Sequence, residues 1–123
     1  MKLIRFGQEG KEKPGLHKDG KHYDLSALIK DYDESFFANN GLEKLKTIAA
    51  QENLPLVATT ERIGSPVARP SKIVCIGLNY AKHAKETNAA IPKEPIIFMK
   101  STTSLSGPYD PIMIPKGSEK TDW

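Results

Sequence analysis

The sequence predicts an α+β protein, and three patterns carry that expectation. An Asp-Gly pair at 19–20 lies between Pro14-Gly15-Leu16-His17 and His22-Tyr23-Asp24-Leu25, which marks a hairpin. Leu42, Leu45, Ile48 and Ala49 recur at helical spacing. Short apolar runs at 72–76, 96–99 and 112–114 follow a proline-punctuated stretch and read as strands. The texture changes near residue 70, from a small α+β module to a β-rich segment.

Taken in order, Lys2 to Gly7 alternates, with Leu3, Arg5 and Gly7 opposite Ile4 and Phe6, and predicts a short strand. After the polar loop Gln8 to Lys13, strands are expected on either side of Asp19-Gly20, because glycine supplies the positive φ of a tight turn. Asp24 or Ser26 is placed to cap a short helix through Ala27-Leu28-Ile29. Gly41 opens an amphipathic surface helix that runs to Ala50 and implies no chemistry. Pro55, Pro66 and Pro70 exclude a long helix over 53–71 and predict an extended connector. Gly107-Pro108-Tyr109-Asp110-Pro111 is a turn between the last two expected strands.

A chain of 123 residues suits one domain, or a small domain with the opening of another. With 38% hydrophobic and 27% charged residues it can form a core. The net charge of +3 comes from 18 basic and 15 acidic residues scattered along the chain, and the densest basic stretch, Lys11 to Lys13, is broken by Glu12. A nucleic-acid partner needs a denser basic stripe and is not expected. The single cysteine, Cys75, excludes an intrachain disulfide, and its place in Ile73-Val74-Cys75-Ile76 predicts a buried hydrophobe rather than a nucleophile. The start carries no long apolar stretch, so neither a signal peptide nor a membrane span is expected, and the cytoplasm is the expected location. His17 and His22 flank the hairpin turn and are expected to be exposed without a ligand role; Trp123 is likewise expected to be exposed.

Chemistry concentrates in Gly77-Leu78-Asn79-Tyr80-Ala81-Lys82-His83-Ala84-Lys85-Glu86. Gly77 lets the chain leave the preceding strand, and Asn79 is placed to cap a helix beginning at Tyr80. On such a helix His83 and Glu86 stand at i and i+3 on one face. A carboxylate beside an imidazole orients it and stabilises its protonated form, which suits a general base. The same spacing also describes solvated neighbours worth a few tenths of a kcal/mol. Spacing alone leaves both readings open.

The wider pattern extends this reading. Lys72-Ile73-Val74-Cys75-Ile76-Gly77-Leu78-Asn79-Tyr80, with His83 and Glu86, resembles the opening of the fumarylacetoacetate hydrolase catalytic domain. Glu94-Pro95-Ile96-Ile97-Phe98-Met99-Lys100 resembles that family's strand ending in lysine, and Gly107 to Pro115 continues the likeness. Met1 to Gly7 and Pro14-Gly15-Leu16 resemble the N-terminal domain that many members carry. The resemblance implies an N-terminal α+β domain over 1–68 and the start of a β-rich catalytic domain over 69–123. It implies a hydrolase or lyase that uses Mg²⁺ or Mn²⁺ on small 2-oxo acid or diketone substrates and is a homodimer at full length. His83 and Glu86 would form its water-activating dyad, and Lys100 would bind a substrate oxygen.

One departure matters. The family's metal-binding Glu-x-Glu pair follows the position of Trp123, a further acidic ligand comes later, and Asp110, Glu119 and Asp122 do not match that motif. The expectation is therefore no metal ligand among these residues, no cofactor bound by them alone, and no activity from the 123 residues by themselves. In that state a non-catalytic module for folding or subunit contacts is the alternative reading. Leu78 stands where some members have Arg, and Gly117 to Trp123 resembles the branch acting on diketo sugar acids or ureidoglycolate.

Overall fold

The computed structural model describes residues 1–119 of an α+β protein. Two compact units divide it, one formed by Met1–Val67 with the segment from Ser106, the other by Ala68–Leu105. The expectation for Trp123 lies outside the described residues.

The first unit is built on a four-stranded antiparallel sheet in the order β3-β2-β1-β4. Its strands are β1 Lys2–Phe6, β2 Lys13–Lys18, β3 Lys21–Asp24 and β4 Ile63–Gly64. Asp19 and Gly20 both have positive φ, 50° and 74°, as the expected tight turn requires. That turn sets the register, so Leu3, Leu16 and Tyr23 share one face while Ile4, Gly15, His17 and His22 share the other. Helix α2, Gly41–Ala49, lays Leu45, Ile48 and Ala49 against Leu16, Leu25, Ile29 and Tyr32 to make the core.

Local departures from the sequence reading have local causes. No helix forms at Ala27-Leu28-Ile29. The Asp24 carboxylate instead accepts the Ser26 N–H at 2.8 Å, and the chain closes a single turn on the Leu25 carbonyl. A short helix α1 appears at Glu34–Ala38, capped by Asp33, whose Oδ1 accepts the Phe36 N–H at 2.9 Å. The proline-rich connector forms no helix, but it runs through a turn and several bends rather than staying extended, and Ile63 and Gly64 pair with Phe6 and Arg5 to form β4. The apolar run 112–114 forms no strand, since among the described residues no strand pairs with it. His17 and His22 are half-buried rather than exposed, with rings packed edge to face across the hairpin.

A set of ion pairs ties β1 to distant loops. Arg5 is buried and donates to Asp31 at 2.7 Å, with Glu12 at 3.6 Å. Arg62 bridges Glu12 at 2.9 Å and Asp110 at 2.6 Å. Asp110 also accepts the Gly107 N–H at 2.6 Å, and Gly107 has no room for a side chain, since a Cβ would strike the Ile63 carbonyl. Burial pushes the Glu12 carboxyl up, yet the Arg62 hydrogen bond and the charge of Arg5 outweigh it and hold Glu12 below its ordinary range. The Arg62 hydrogen bond likewise holds Asp110 down. Both folded-state values are depressed, so the stability they contribute is present above the unfolded carboxylate range and is lost as pH falls through the folded values. Stability against thermal unfolding is expected to fall progressively from about pH 4.5 downward. Arg62→Met should flatten that acid limb; a variant with the parent's acid limb would contradict the assignment.

The second unit pairs β5, Ile73–Gly77, with β6, Ile96–Lys100, as an antiparallel ribbon. Val74, Ile76, Ile97 and Met99 share one face of it, and all four are exposed. Cys75 lies on the other face, half-buried rather than buried, opposite Phe98. Helix α3, Ala81–Glu86, joins the strands, and a 3-10 turn at Thr102–Ser104 follows β6.

Candidate functional site

The route from β5 to α3 is set by backbone conformation. Gly77 sits where a side chain would crowd Ile96, with a Cβ 3.3 Å from Ile96 Cγ2. Leu78 then takes a left-handed φ of 45°, a strained state for a residue with a Cβ. Strain of this kind persists where neighbouring structure enforces it, and it concentrates at functional turns. The turn consumes Asn79, so the helix starts one residue later than expected. Tyr80, in extended conformation, is the N-cap, and neither it nor Asn79 makes a side-chain cap. The first helical bond runs from the Ala84 N–H to the Tyr80 carbonyl at 3.2 Å.

The far end of α3 is closed firmly. Asn88 has φ of 54°, the Ala89 N–H bonds the Ala84 carbonyl at 2.8 Å, and the Asn88 N–H bonds the Lys85 carbonyl at 3.2 Å. This is the double bond pattern of a left-handed helix stop, with Asn in the place usually taken by Gly. The Thr87 hydroxyl adds a bond to the His83 carbonyl at 3.1 Å. Only Ala84 of the helix is buried.

His83 and Glu86 therefore stand one helical turn apart on α3, both exposed. Among the described residues no hydrogen bond or ion pair joins their side chains, and the imidazole is open to water. Lys100, also exposed, ends β6 opposite Ile73, at the ribbon end away from the Gly77 exit to α3. It makes no ion pair with the dyad. An open depression of about 310 Å³ adjoins the β5–α3 turn, lined by Gly77, Leu78, Asn79, Pro92 and Glu94 among others. The sequence reading missed this loop wall. The prolines at 92 and 95, which bracket Lys93-Glu94, were its available signal.

Among the described residues no three His, Cys, Asp or Glu side chains converge as a metal cluster would. Asp110 is committed to Arg62 and to its own turn. No helix of the described residues is long and apolar enough to cross a membrane.

Residues 72–123 match the family model described as fumarylacetoacetate (FAA) hydrolase C-terminal. A Burkholderia multivorans protein named "Putative hydrolase" is 49% identical over the whole of this chain, which spans 44% of that relative's length. A protein of the same description from Burkholderia lata matches equally, at 49%. Among solved structures, a "putative HpcE protein" from Mycobacterium smegmatis superposes with TM-score 0.70 at 27% identity, covering 96% of this chain and 42% of that one. The fumarylacetoacetate hydrolase of the psychrophile Exiguobacterium antarcticum superposes with TM-score 0.58, also at 27% identity, covering 91% and 39%. From the matched segment, the whole-chain relatives and the shared fold, the chain belongs to the fumarylacetoacetate hydrolase family.

Proposed function

We propose that these residues supply the proton-transfer dyad of a divalent-metal-dependent hydrolase or lyase acting on small 2-oxo acid or diketone substrates. The observation that carries the reading is the placement of His83 and Glu86 one turn apart on an exposed, firmly terminated helix beside a strained turn. His83 takes a proton from water, and Glu86 orients the ring and stabilises the imidazolium. The water so activated attacks the substrate carbonyl, the bond to the leaving carbon breaks, and that carbon takes the proton from the His83 imidazolium. Lys100 donates to a substrate oxygen. In this reading the full-length protein is a cytoplasmic homodimer.

The family's Mg²⁺ or Mn²⁺ does not fit the described residues, which offer no converging set of oxygen ligands. The 123 residues alone are proposed to be inactive. One observation favours a second reading, a non-catalytic module for folding or subunit contacts. The β5–β6 ribbon exposes Val74, Ile76, Ile97 and Met99 together, which is a packing surface rather than a reaction surface. A chimaera separates the two. Residues 1–123 replace the matching stretch of the Burkholderia multivorans relative, and hydrolysis of an acylpyruvate is measured. Turnover comparable to the parent relative supports the catalytic reading. A folded, metal-binding but inactive chimaera beside an active parent supports the packing module.

A further inference from the structure

The hairpin of the first unit carries an arrangement that neither the core nor the α3 dyad uses. His17 and His22 face each other across β2 and β3, one pair beyond the Lys18–Lys21 pair that closes the turn. In a two-residue hairpin the closing pair exchanges its backbone hydrogen bonds, so the next pair is the non-hydrogen-bonded kind, whose side chains stand closest. The bond from the Val57 N–H to the His22 carbonyl, 2.9 Å, agrees, because that carbonyl is engaged outside the hairpin. The ring centroids lie 5.0 Å apart with planes at 66°. Two histidines sharing a tetrahedral ion, with metal–nitrogen bonds of about 2.0–2.1 Å, also place their centroids roughly 5 Å apart. Nδ1 of His17 is buried and has no hydrogen-bond partner, an expense that buried polar atoms seldom carry without a use.

We propose that His17 and His22 form a two-imidazole site for a borderline transition-metal ion, such as Zn²⁺, Ni²⁺ or Cu²⁺, on the β2–β3 hairpin. Each ring contributes one nitrogen, and water completes the coordination. Ligand type sets the selectivity: imidazole suits these ions, whereas Mg²⁺ takes oxygen ligands. Lys2, paired with His17 on β1, is exposed and opposes a bound cation. Asp24, two residues beyond His22 on the same face, offsets it. A bound ion links the two strands across their turn and stabilises the folded state by mass action. The site is separate from His83–Glu86 and from the hard-ion chemistry of the proposed function, so failure of one leaves the other standing.

The test is titration of the 123-residue chain with Zn²⁺, and in parallel with Mg²⁺, followed through the imidazole resonances of its three histidines and by thermal unfolding. The expected result is that Zn²⁺ shifts the His17 and His22 rings together and raises Tm, while the His83 ring stays in place and Mg²⁺ does nothing. Cu²⁺ should bind more tightly than Ni²⁺ or Zn²⁺. His22→Gln, which keeps size and polarity, should retain the folded amide spectrum and weaken Zn²⁺ binding by about tenfold or more. Rings of His17 and His22 unmoved by Zn²⁺, a response confined to His83, or unchanged affinity in a folded His22→Gln variant would each overturn the proposal.

Discussion

In the chimaera with the Burkholderia multivorans relative, His83→Ala is expected to lower kcat by about 10²–10⁴-fold, the usual worth of a positioned general base. Mn²⁺ affinity should change little, because His83 is assigned to proton transfer and not to ligation. The substitution is also structurally mild: His83 is exposed, only Ala84 of α3 is buried, and the helix is stopped by backbone bonds at Asn88 and Ala89. A loss of turnover would therefore report chemistry rather than unfolding. Glu86→Gln separates two roles for the carboxylate. A smaller loss than in His83→Ala means that it orients and stabilises the imidazolium; an equal or larger loss means that it takes the proton itself. Steady-state kinetics on an acylpyruvate, run beside Mn²⁺ titrations, give both answers. Parent-like turnover in His83→Ala would make the pair an ordinary solvated one.

The largest stability effect is expected at Tyr32. This side chain is fully buried in the core of the first unit, packs edge to face on Phe36 at 5.0 Å, and donates its hydroxyl to the Gly15 carbonyl at 2.7 Å. Gly15 is itself constrained, since a Cβ there would lie 2.8 Å from the Tyr23 carbonyl and 2.9 Å from Phe6. Tyr32→Ala should cost about 3–5 kcal/mol through the cavity it leaves. That is a large share of the roughly 5–15 kcal/mol that holds a typical domain. Tyr32→Phe keeps the ring and loses the hydrogen bond, which costs about 1–3 kcal/mol. Urea unfolding of both variants measures the two parts. The sign with pH follows from burial, which with the nearby Asp31 charge pushes the Tyr32 phenol well above its ordinary value. Its contribution is complete below the unfolded phenol's titration, near pH 10, and is lost as pH rises beyond it. Tyr32→Phe should accordingly abolish that alkaline limb. Equal stability of the Phe variant and the parent would contradict the role given to the hydroxyl.

What was legible in the sequence was what local interactions decide. Asp19-Gly20 announced the hairpin because a tight turn needs positive φ at two successive positions, and few residue pairs allow it. The α2 stripe stood out because burial imposes its period on neighbouring residues, and β5 and β6 stood out as short apolar runs bounded by polar or turn residues. Features that depend on distant partners were not legible. The two residues of β4 form a strand only because β1 lies beside them, whereas the apolar run 112–114, with no such neighbour, does not. The Arg5–Glu12–Arg62–Asp110 chain joins residues more than a hundred positions apart, and no spacing rule anticipates it. Asp33 as a cap and Asn88 as a helix stop were local signals passed over, since Asp and Asn are as common in plain turns. At the candidate site the i, i+3 pair was readable from spacing. Its meaning came from the wider family pattern, because exposed His–Glu pairs on short helices are ordinary.

The central claim is that this stretch provides proton transfer while the divalent ion is held elsewhere. Isothermal titration with Mn²⁺, performed on the 123-residue chain and on the chimaera, tests it most directly. The account predicts no micromolar site in residues 1–123 and, in the chimaera, a site matching that of the parent relative. A micromolar Mn²⁺ site in the 123-residue chain alone would contradict it.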